Sequence, residues 1–178
     1  MTIAVELKSI KSYPALSQET AAYSAKLVVD GVVLGEVSND GHGGCDRFQP
    51  QAKGLTSREA NVLYDEACRR VKAEMPKQNL AHPGQPERLV EDDMDFLCAR
   101  LVADADLLKR MKRMMKTKVL VFDKGRPTAQ GTPLYEYRLS SPTALAGVAA
   151  GIRRKYPDAW ILNEQTEEDA FAAMRLAV

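Results

Sequence analysis

The chain has 178 residues, of which 45% are hydrophobic and 28% are charged, and its formal net charge is +1. This composition is typical of a globular protein, and the small net charge argues against a surface that coats nucleic acid or a membrane throughout. No apolar run approaches the roughly 20 residues that a membrane-spanning helix needs. Three widely spaced cysteines without a C-x-x-C pair, and an N-terminus without a secretory pattern, predict a cytoplasmic protein with reduced thiols.

The first forty residues predict an antiparallel meander of three strands. Apolar and polar residues alternate over 3–8, as in a half-buried strand. The Asp-Gly pair at 30–31 lies between two β-branched runs and predicts a type I′ hairpin turn. Counting back from that turn pairs Leu27 with Leu34. Both faces of the hairpin hold apolar residues near the turn, so we expect helices to cover at least one of them.

Helical periodicity replaces the strand pattern in the middle of the chain. A helix is predicted over 55–75, where Thr56 and Glu59 match a capping box. A Pro-rich linker follows over 76–86. Beyond it, apolar residues recur at three- and four-residue steps over 87–116, as one helix or two.

The last third of the chain returns to strands. "KVLVF" at 118–122 and "LYEYRLS" at 134–140 predict a hairpin, and Ser141-Pro142 predicts the start of a helix that ends near residue 155. A short strand is predicted over 159–164, and Thr166 with Asp169 predicts the cap of a final helix.

This order of elements predicts an α+β protein, because strands and helices are grouped more than they alternate. We expect an N-terminal antiparallel β-meander, central helices, and a C-terminal β-hairpin followed by helix, strand and helix. One domain over 1–178 is favoured because neither half alone would bury much, and the linker at 76–86 is where it would divide.

The most unusual stretch is "SNDGHGGCDRF" at 38–48, which gathers glycines with His, Cys and Asp. Extending the hairpin register places Ala22 opposite Asn39 and Thr20 opposite Gly41. We therefore expect this loop and the segment "LSQET" to form one composite surface. Its predicted binding residues are Ser17, Glu19, Thr20, Asn39, Asp40, His42, Asp46 and Arg47.

An enzyme could be built on the same loop. A small hydrolase would use Cys45 as nucleophile, His42 as base and Glu19 to orient the imidazole ring. Such groups usually come from distant parts of a chain, and the glycines between His42 and Cys45 preorganise little. A metal-dependent phosphoesterase is the other version, but the loop offers only one short His/Cys pair where zinc sites show paired spacings. We therefore expect no catalytic set, no metal and no cofactor.

The glycines of the loop have two further interpretations. The N–H groups of Gly41, Gly43 and Gly44 could cradle a phosphate, although no P-loop or dinucleotide motif accompanies them. Alternatively the glycines only supply the backbone angles that a turn leaving a strand requires. The second interpretation is the commoner one and is favoured over the chemical ones.

A basic segment, "LLKRMKRMMKTK" at 107–118, indicates a possible contact with nucleic acid or an acidic partner. The bases it carries without any acid are Lys109, Arg110, Lys112, Arg113, Lys116 and Lys118. Of these, the first five form the candidate contact. The same helical region begins with acidic residues, so the bases also suit compensation of the helix dipole, and the segment has no aromatic residue for base stacking.

Short motifs at both ends resemble those of small, mostly uncharacterised bacterial and bacteriophage proteins. The shared pattern is Ser-x-Glu-Thr, then Asn-Asp-Gly-x-Gly-Gly, then a late Tyr-Pro before Ile-Leu-Asn. Here it comprises Ser17, Glu19, Thr20, Asn39, Asp40, Gly41, Gly43, Gly44, Tyr156, Pro157, Ile161, Leu162 and Asn163. The resemblance carries no activity, but it implies a phage or mobile-element setting, where small proteins often bind and block another protein.

The sequence therefore predicts a non-enzymatic, cytoplasmic protein-binding module that inhibits or modulates a host protein, with no membrane contact. Two alternatives stay open. One is a hydrolase or metal-dependent phosphoesterase on the glycine-rich loop, and the other is a nucleic-acid binder that uses the basic helix.

Overall fold

A computed structural model describes residues 3–74, 93–122 and 134–177 of the chain. Both helices and strands are present, which confirms the predicted α+β class. The described helices are α1 (Ser57–Glu74), α2 (Asp93–Met115), α3 (Leu145–Lys155) and α4 (Glu167–Leu176). The described strands are β1 (Val5–Ser12), β2 (Tyr23–Val29), β3 (Val32–Asn39), β4 (Arg47–Pro50), β5 (Lys118–Phe122), β6 (Leu134–Arg138) and β7 (Trp160–Ile161).

The chain divides into two compact units, Met1–Ala103 and Asp104–Val178, with the boundary inside α2. The expected single domain over 1–178 stays a prediction. So does its division at the linker, because 76–86 lies outside the described residues. None of the described helices is long and apolar enough to span a bilayer.

The N-terminal unit contains an antiparallel sheet in which the described strands follow the order β1, β2, β3, β4. The predicted meander accounts for β1 to β3. The prediction was wrong at β4, whose residues were assigned to a loop. With four residues and a terminal proline, β4 has no alternation of its own to detect, and its position depends on pairing with β3, where Phe48 opposes Val37.

The predicted hairpin turn is confirmed. Asp30 and Gly31 have φ values of 47° and 83°, the left-handed pair that a type I′ turn requires. Val29 opposes Val32 next to the turn, as expected from a two-residue loop. The side chain of Asp30 adds two contacts: Oδ1 accepts the N–H of Ala4 at 3.0 Å, and Oδ2 pairs with Arg70 at 2.7 Å.

The register beyond this turn differs from the prediction by one residue. A β-bulge makes Leu34 the extra residue, so that Leu27 opposes Gly35 instead of Leu34. Tyr23, and not Ala22, therefore lies opposite Asn39. The bulge lies next to a position where β3 and β4 approach each other closely. A Cβ on Gly35 would be 2.2 Å from the carbonyl oxygen of Gln49, so only glycine fits there.

The core of the N-terminal unit lies on one face of its sheet. Buried residues of β2 and β3 pack there against α1 and the first part of α2, which confirms the expected helical cover. The buried residues of this core, from the two strands and the two helices, are Tyr23, Ala25, Leu27, Val29, Leu34, Val37, Ala67, Val71, Met94, Cys98 and Val102. The predicted capping box begins α1, since Glu59 accepts the N–H of Thr56 at 2.7 Å and donates its own N–H to the Thr56 hydroxyl at 3.2 Å.

A second bulge interrupts β1, the outermost strand on one side of the described sheet. Ser9 has a φ of 55°, and the pairing of β1 with β2 shifts between Lys8 and Lys11. A non-glycine residue in the left-handed region is uncommon, and here it bends the strand at its middle.

The C-terminal unit is built on a separate antiparallel sheet with the described order β6, β5, β7. Leu120 and Phe122 of β5 pack on one face with α4 and the second part of α2, whereas Val119 and Val121 pack on the other face with α3. Thr166 caps α4 as predicted, accepting the N–H of Asp169 at 3.1 Å.

Two details of this unit correct the prediction. Ser141 precedes a 3-10 turn over Pro142–Ala144 and makes no side-chain cap, so α3 begins only at Leu145. The predicted last strand is also shorter, because a second 3-10 turn starts at Leu162. Asn163 in that turn joins α2 to β5, donating to the carbonyls of Met115 and Lys118 at 3.2 and 2.9 Å.

Candidate functional site

The glycine-rich loop and "LSQET" lie side by side, joined through one carbonyl. The carbonyl oxygen of Gly41 accepts the N–H groups of Gln18, Glu19 and Thr20 at 2.9, 3.0 and 3.4 Å. Gly41 is itself buried with a φ of 87°, and a Cβ there would be 2.4 Å from the carbonyl oxygen of Leu16. Only glycine allows the two backbones to approach this closely.

Asn39 organises the loop through four hydrogen bonds. Its Oδ1 accepts the Thr20 hydroxyl at 2.7 Å and the Gly41 N–H at 2.9 Å. Its Nδ2 donates to the Gly44 carbonyl at 3.1 Å and to Oδ1 of Asp46 at 3.0 Å. These contacts use both donors and two acceptor positions of the amide, so Asn39 holds the shape of the loop and has little capacity left for a partner.

Ser17 has a similar role in the neighbouring segment. Its hydroxyl accepts the N–H of Ala22 at 2.9 Å and donates to the carbonyl of Tyr13 at 3.2 Å. Of the eight predicted binding residues, Ser17, Thr20 and Asn39 therefore act mainly on the chain itself.

Asp46 anchors the far end of the loop to the core. Oδ2 of this half-buried carboxylate accepts a hydrogen bond from the hydroxyl of buried Tyr23. The backbone N–H of Asp46 donates to the carboxylate of Asp95 on α2 at 3.0 Å. Burial raises the pKa of Asp46, and nearby Asp95 raises it further, whereas the hydrogen bonds from Tyr23 and Asn39 lower it.

A group of ionisable side chains continues inward from Asp46. The Tyr23 hydroxyl also contacts the thiol of Cys98, and burial raises the pKa of both, that of Cys98 to about 12. On α1, burial likewise raises the pKa of Cys68 and of Tyr64, whose ring stacks on Phe48 at 4.1 Å between centroids. These shifts keep the thiols and phenols neutral, which suits an interior polar cluster better than a nucleophile.

Sequence reasoning missed Tyr23, Asp95 and Cys98 as supports of the loop. No local pattern identifies them, because Tyr23 and Asp95 meet Asp46, and Cys98 meets Tyr23, only once the sheet has formed and α2 has packed against it.

Five predicted binding residues are exposed: Ser17, whose hydroxyl is bonded to the chain itself, and Glu19, Asp40, His42 and Arg47. Arg47 pairs with Asp40 at 2.9 Å, and Nδ1 of His42 lies 3.3 Å from the side-chain oxygen of Gln18. When Nδ1 donates in that contact, Nε2 is left as the acceptor. Gln18, which the sequence did not single out, thus occupies the place that the hydrolase hypothesis assigned to Glu19.

Two exposed side chains with apolar surface precede Ser17 in the chain, and the backbone of each contacts the composite surface, Tyr13 at the Ser17 hydroxyl and Leu16 at Gly41. Tyr13 is 41% exposed and Leu16 is 54% exposed, at either end of a 3-10 turn that follows β1. Sequence reasoning did not single them out, because a large apolar side chain such as that of Leu16 is more often found buried.

The phosphate-cradle interpretation conflicts with how the loop uses its N–H groups. Those of Gly41, His42 and Gly43 donate to side-chain oxygens of Asn39, Asp40 and Thr20 at 2.9, 3.3 and 3.4 Å. The carboxylate of Asp40 also lies where an anion would have to approach, and it would repel that anion. Across residues 3–74, 93–122 and 134–177, no group of three or more His, Cys, Asp and Glu side chains is arranged to hold a metal ion.

The five candidate cations of the basic segment fall into two groups, those that form ion pairs and those that do not. Lys109 pairs with Asp106 at 3.2 Å and Lys112 pairs with Glu167 at 2.7 Å. Arg110, Arg113 and Lys116 are exposed, and none has an ion-pair partner within the described part of the chain.

Comparison with known proteins identifies no matching family model, no matching curated protein and no matching solved structure. A function for the candidate site is therefore inferred from its own geometry.

Proposed function

We propose that this protein is a non-enzymatic binding module that contacts another protein through the composite surface. The observation that carries the proposal is the combination of a backbone held by Asn39 and Gly41 with exposed apolar groups, Tyr13 and Leu16, beside exposed charges. Aromatic residues are enriched in the buried centres of interfaces.

The hydrogen bonds within the surface favour binding by reducing its entropic cost. Three N–H groups on one carbonyl and four bonds on one amide leave the loop little freedom to lose when a partner docks. The exposed carboxylate of Glu19 would then select among partners by charge, which affects specificity and association rate more than affinity.

We extend the proposal to a cytoplasmic accessory protein of a phage or mobile element that inhibits or modulates a host protein. The phage or mobile-element setting depends on the resemblance of the motifs around Ser17 and Asn39, and the cytoplasmic location depends on the reduced thiols that the cysteine spacing predicts.

The proposal is tested by finding a partner and then mapping its contact. Affinity capture from a bacterial lysate with mass spectrometry supplies a candidate, and its dissociation constant is then measured with purified proteins. We expect Leu16→Ser and Glu19→Gln each to weaken binding at least about tenfold, the effect typical of a central interface residue.

Val62→Ser is the matched control, because Val62 on α1 is 58% exposed, close to the 54% of Leu16. Unchanged affinity for that variant supports the composite surface as the contact. Full affinity in both Leu16→Ser and Glu19→Gln, or equal loss in Val62→Ser, would assign the contact to another part of the chain.

A further inference from the structure

Six exposed cations of the C-terminal unit lack a carboxylate partner among the described residues, and two of them, Arg154 and Lys155, lie at the end of α3. The other four, which we call the basic surface, are Arg110 and Arg113 on α2, Lys116 directly after its end, and Arg138 on β6. The remaining bases of this region are neutralised: Lys109 by Asp106, Lys112 by Glu167 and Lys118 by Glu136. The basic segment thus contains two classes of cation, paired and unpaired, that the sequence alone does not distinguish.

Arg110, Arg113 and Lys116 follow one another at three-residue steps along the chain. With a rise of about 1.5 Å per residue, Arg110 and Arg113 are about 4.5 Å apart along the helix axis, and Lys116 continues the series just past the helix end at Met115. None of them is used in packing, since the apolar side of this helix segment is formed by Met111, Met114 and Met115.

β6 adds its cation to the same end of α2. Arg138 opposes Lys118, the first residue of β5, and the N–H of Leu139 donates to the carbonyl of Thr117 at 2.8 Å, just past the helix end. Leu134 packs in the cluster that contains Met111 and Met114. Arg138 lies four residues beyond Leu134 on the same strand, so both side chains face the side of the sheet that α2 covers.

Compensation of the helix dipole does not account for this set. The dipole favours cations within the last turn of a helix, which here includes Arg113. Arg110 lies more than a turn before the end at Met115, and Arg138 belongs to a strand.

We propose that the basic surface binds the phosphate backbone of nucleic acid without sequence preference. Three of its four cations are arginines, whose guanidinium groups donate two parallel hydrogen bonds to a phosphate. Regularly spaced cations suit a strand that carries one phosphate per about 3.4 Å, whereas carboxylates on a protein surface are interspersed with cations. Because 107–118 has no aromatic residue, base stacking contributes nothing from this helix and the contact is made to phosphates.

The test measures binding of the full chain to fluorescein-labelled 20-nucleotide single- and double-stranded DNA by anisotropy, at several salt concentrations. Four phosphate contacts give a slope of log K against log salt of about −3.6 for the duplex and about −2.8 for the single strand. We expect the double variant Arg110→Gln/Arg113→Gln to bind at least about tenfold more weakly in low salt and to reduce the magnitude of that slope by about 2.

The matched control is Arg154→Gln/Lys155→Gln. It removes the same charge from exposed positions at another helix C-terminus, on α3, which packs against the opposite face of the sheet. Wild-type affinity in this control supports the proposal. Equal weakening in both double variants, or no salt-dependent binding by the wild type, overturns it.

Polyglutamate of matched charge tests the other class of partner. If it displaces the labelled DNA as readily as unlabelled DNA does, the surface selects acidic polypeptides and the proposal is wrong. Leu16→Ser should leave DNA binding unchanged, so that this result and that for the composite surface are independent.

Discussion

The hydroxyl of Tyr23, in the core of the N-terminal unit, donates a hydrogen bond to Oδ2 of Asp46 in the glycine-rich loop. Through this contact a buried residue of the sheet determines where a surface loop ends. Removing the donor should be costly, because a half-buried carboxylate would lose one of its partners.

We expect Tyr23→Phe to lower the free energy of unfolding by about 1.5 to 3 kcal/mol, the range for a hydrogen bond to a charged group. Urea denaturation measures the change. Tyr135→Phe serves as control, since Tyr135 is exposed on β6. An equal loss in both variants would show that the Tyr23 hydroxyl contributes nothing specific.

The carboxyl of Asp46 should make stability depend on pH. Its pKa is raised in the folded state, chiefly by burial, so the folded protein holds this proton more tightly than the unfolded chain does. The contribution of Asp46 to stability should therefore fall as pH rises from about 4 through the raised pKa.

The measurement is the free energy of unfolding of wild type and Asp46→Asn between pH 4 and pH 7. We expect the wild type to lose stability relative to the variant as pH rises. A relative gain would mean that the hydrogen bonds from Tyr23 and Asn39 outweigh burial.

Asp30 should show the opposite dependence. The N–H of Ala4, and then Arg70, hold the pKa of this exposed carboxyl below its usual range. Its contribution is present above about pH 4 and is lost as pH falls through the lowered pKa. Asp30→Asn preserves a residue that tolerates the left-handed turn, and it should reduce acid destabilisation between pH 5 and pH 2 as followed by circular dichroism. If the variant loses as much stability as the wild type over that range, the carboxylate form has no special role at the turn.

Two glycines with similar backbone angles allow the energetic cost of backbone strain to be measured apart from that of close contact. Gly41 and Gly54 have φ values of 87° and 86°, but a Cβ would strike the Leu16 carbonyl at Gly41 and would meet nothing within 4 Å at Gly54. Alanine should cost about 1 to 2 kcal/mol at Gly54 from backbone strain alone. At Gly41 we expect a further loss of about 1 to 3 kcal/mol from the contact. Thermal denaturation compares the two, and equal losses would argue against close packing of the two segments.

The three thiols should differ in reactivity. Cys45 is exposed, Cys68 is half-buried and Cys98 is buried with its pKa raised to about 12. In the folded protein at pH 8 we expect a disulfide reagent to modify Cys45 first and Cys98 only on unfolding. Cys45→Ser should abolish the fast phase. A Cys45 thiol that reacts far faster than a free cysteine at pH 6 would favour the hydrolase alternative.

Those parts of the fold that local chemistry determines could be predicted from the sequence. The Asp-Gly turn at 30–31 and the cap at Thr56 each depend on the backbone of a few neighbouring residues. The bulge at Leu34 could not, since it accompanies the close approach of β4 to Gly35, which comes from a strand that pairs only in the folded sheet.

For the candidate site, the sequence indicated which two segments meet but not what holds them. The turn at 30–31 was sufficient to bring Thr20 close to Gly41, even though the register was off by one residue. The fourfold bonding of Asn39 and the contact of Asp46 with Tyr23 depend on side-chain directions that a register does not supply.

The bend at Ser9 has a consequence for how folded molecules behave when crowded together. An outer strand is a template on which another chain can extend a sheet, and proteins guard such templates with irregular backbone and lysines. In β1 the left-handed Ser9 breaks the straight run after its first four residues, and Lys8 and Lys11 place like charges on either side of the break. A second molecule aligning along β1 would meet a kink and two lysines, so this side of the sheet discourages strand-to-strand aggregation.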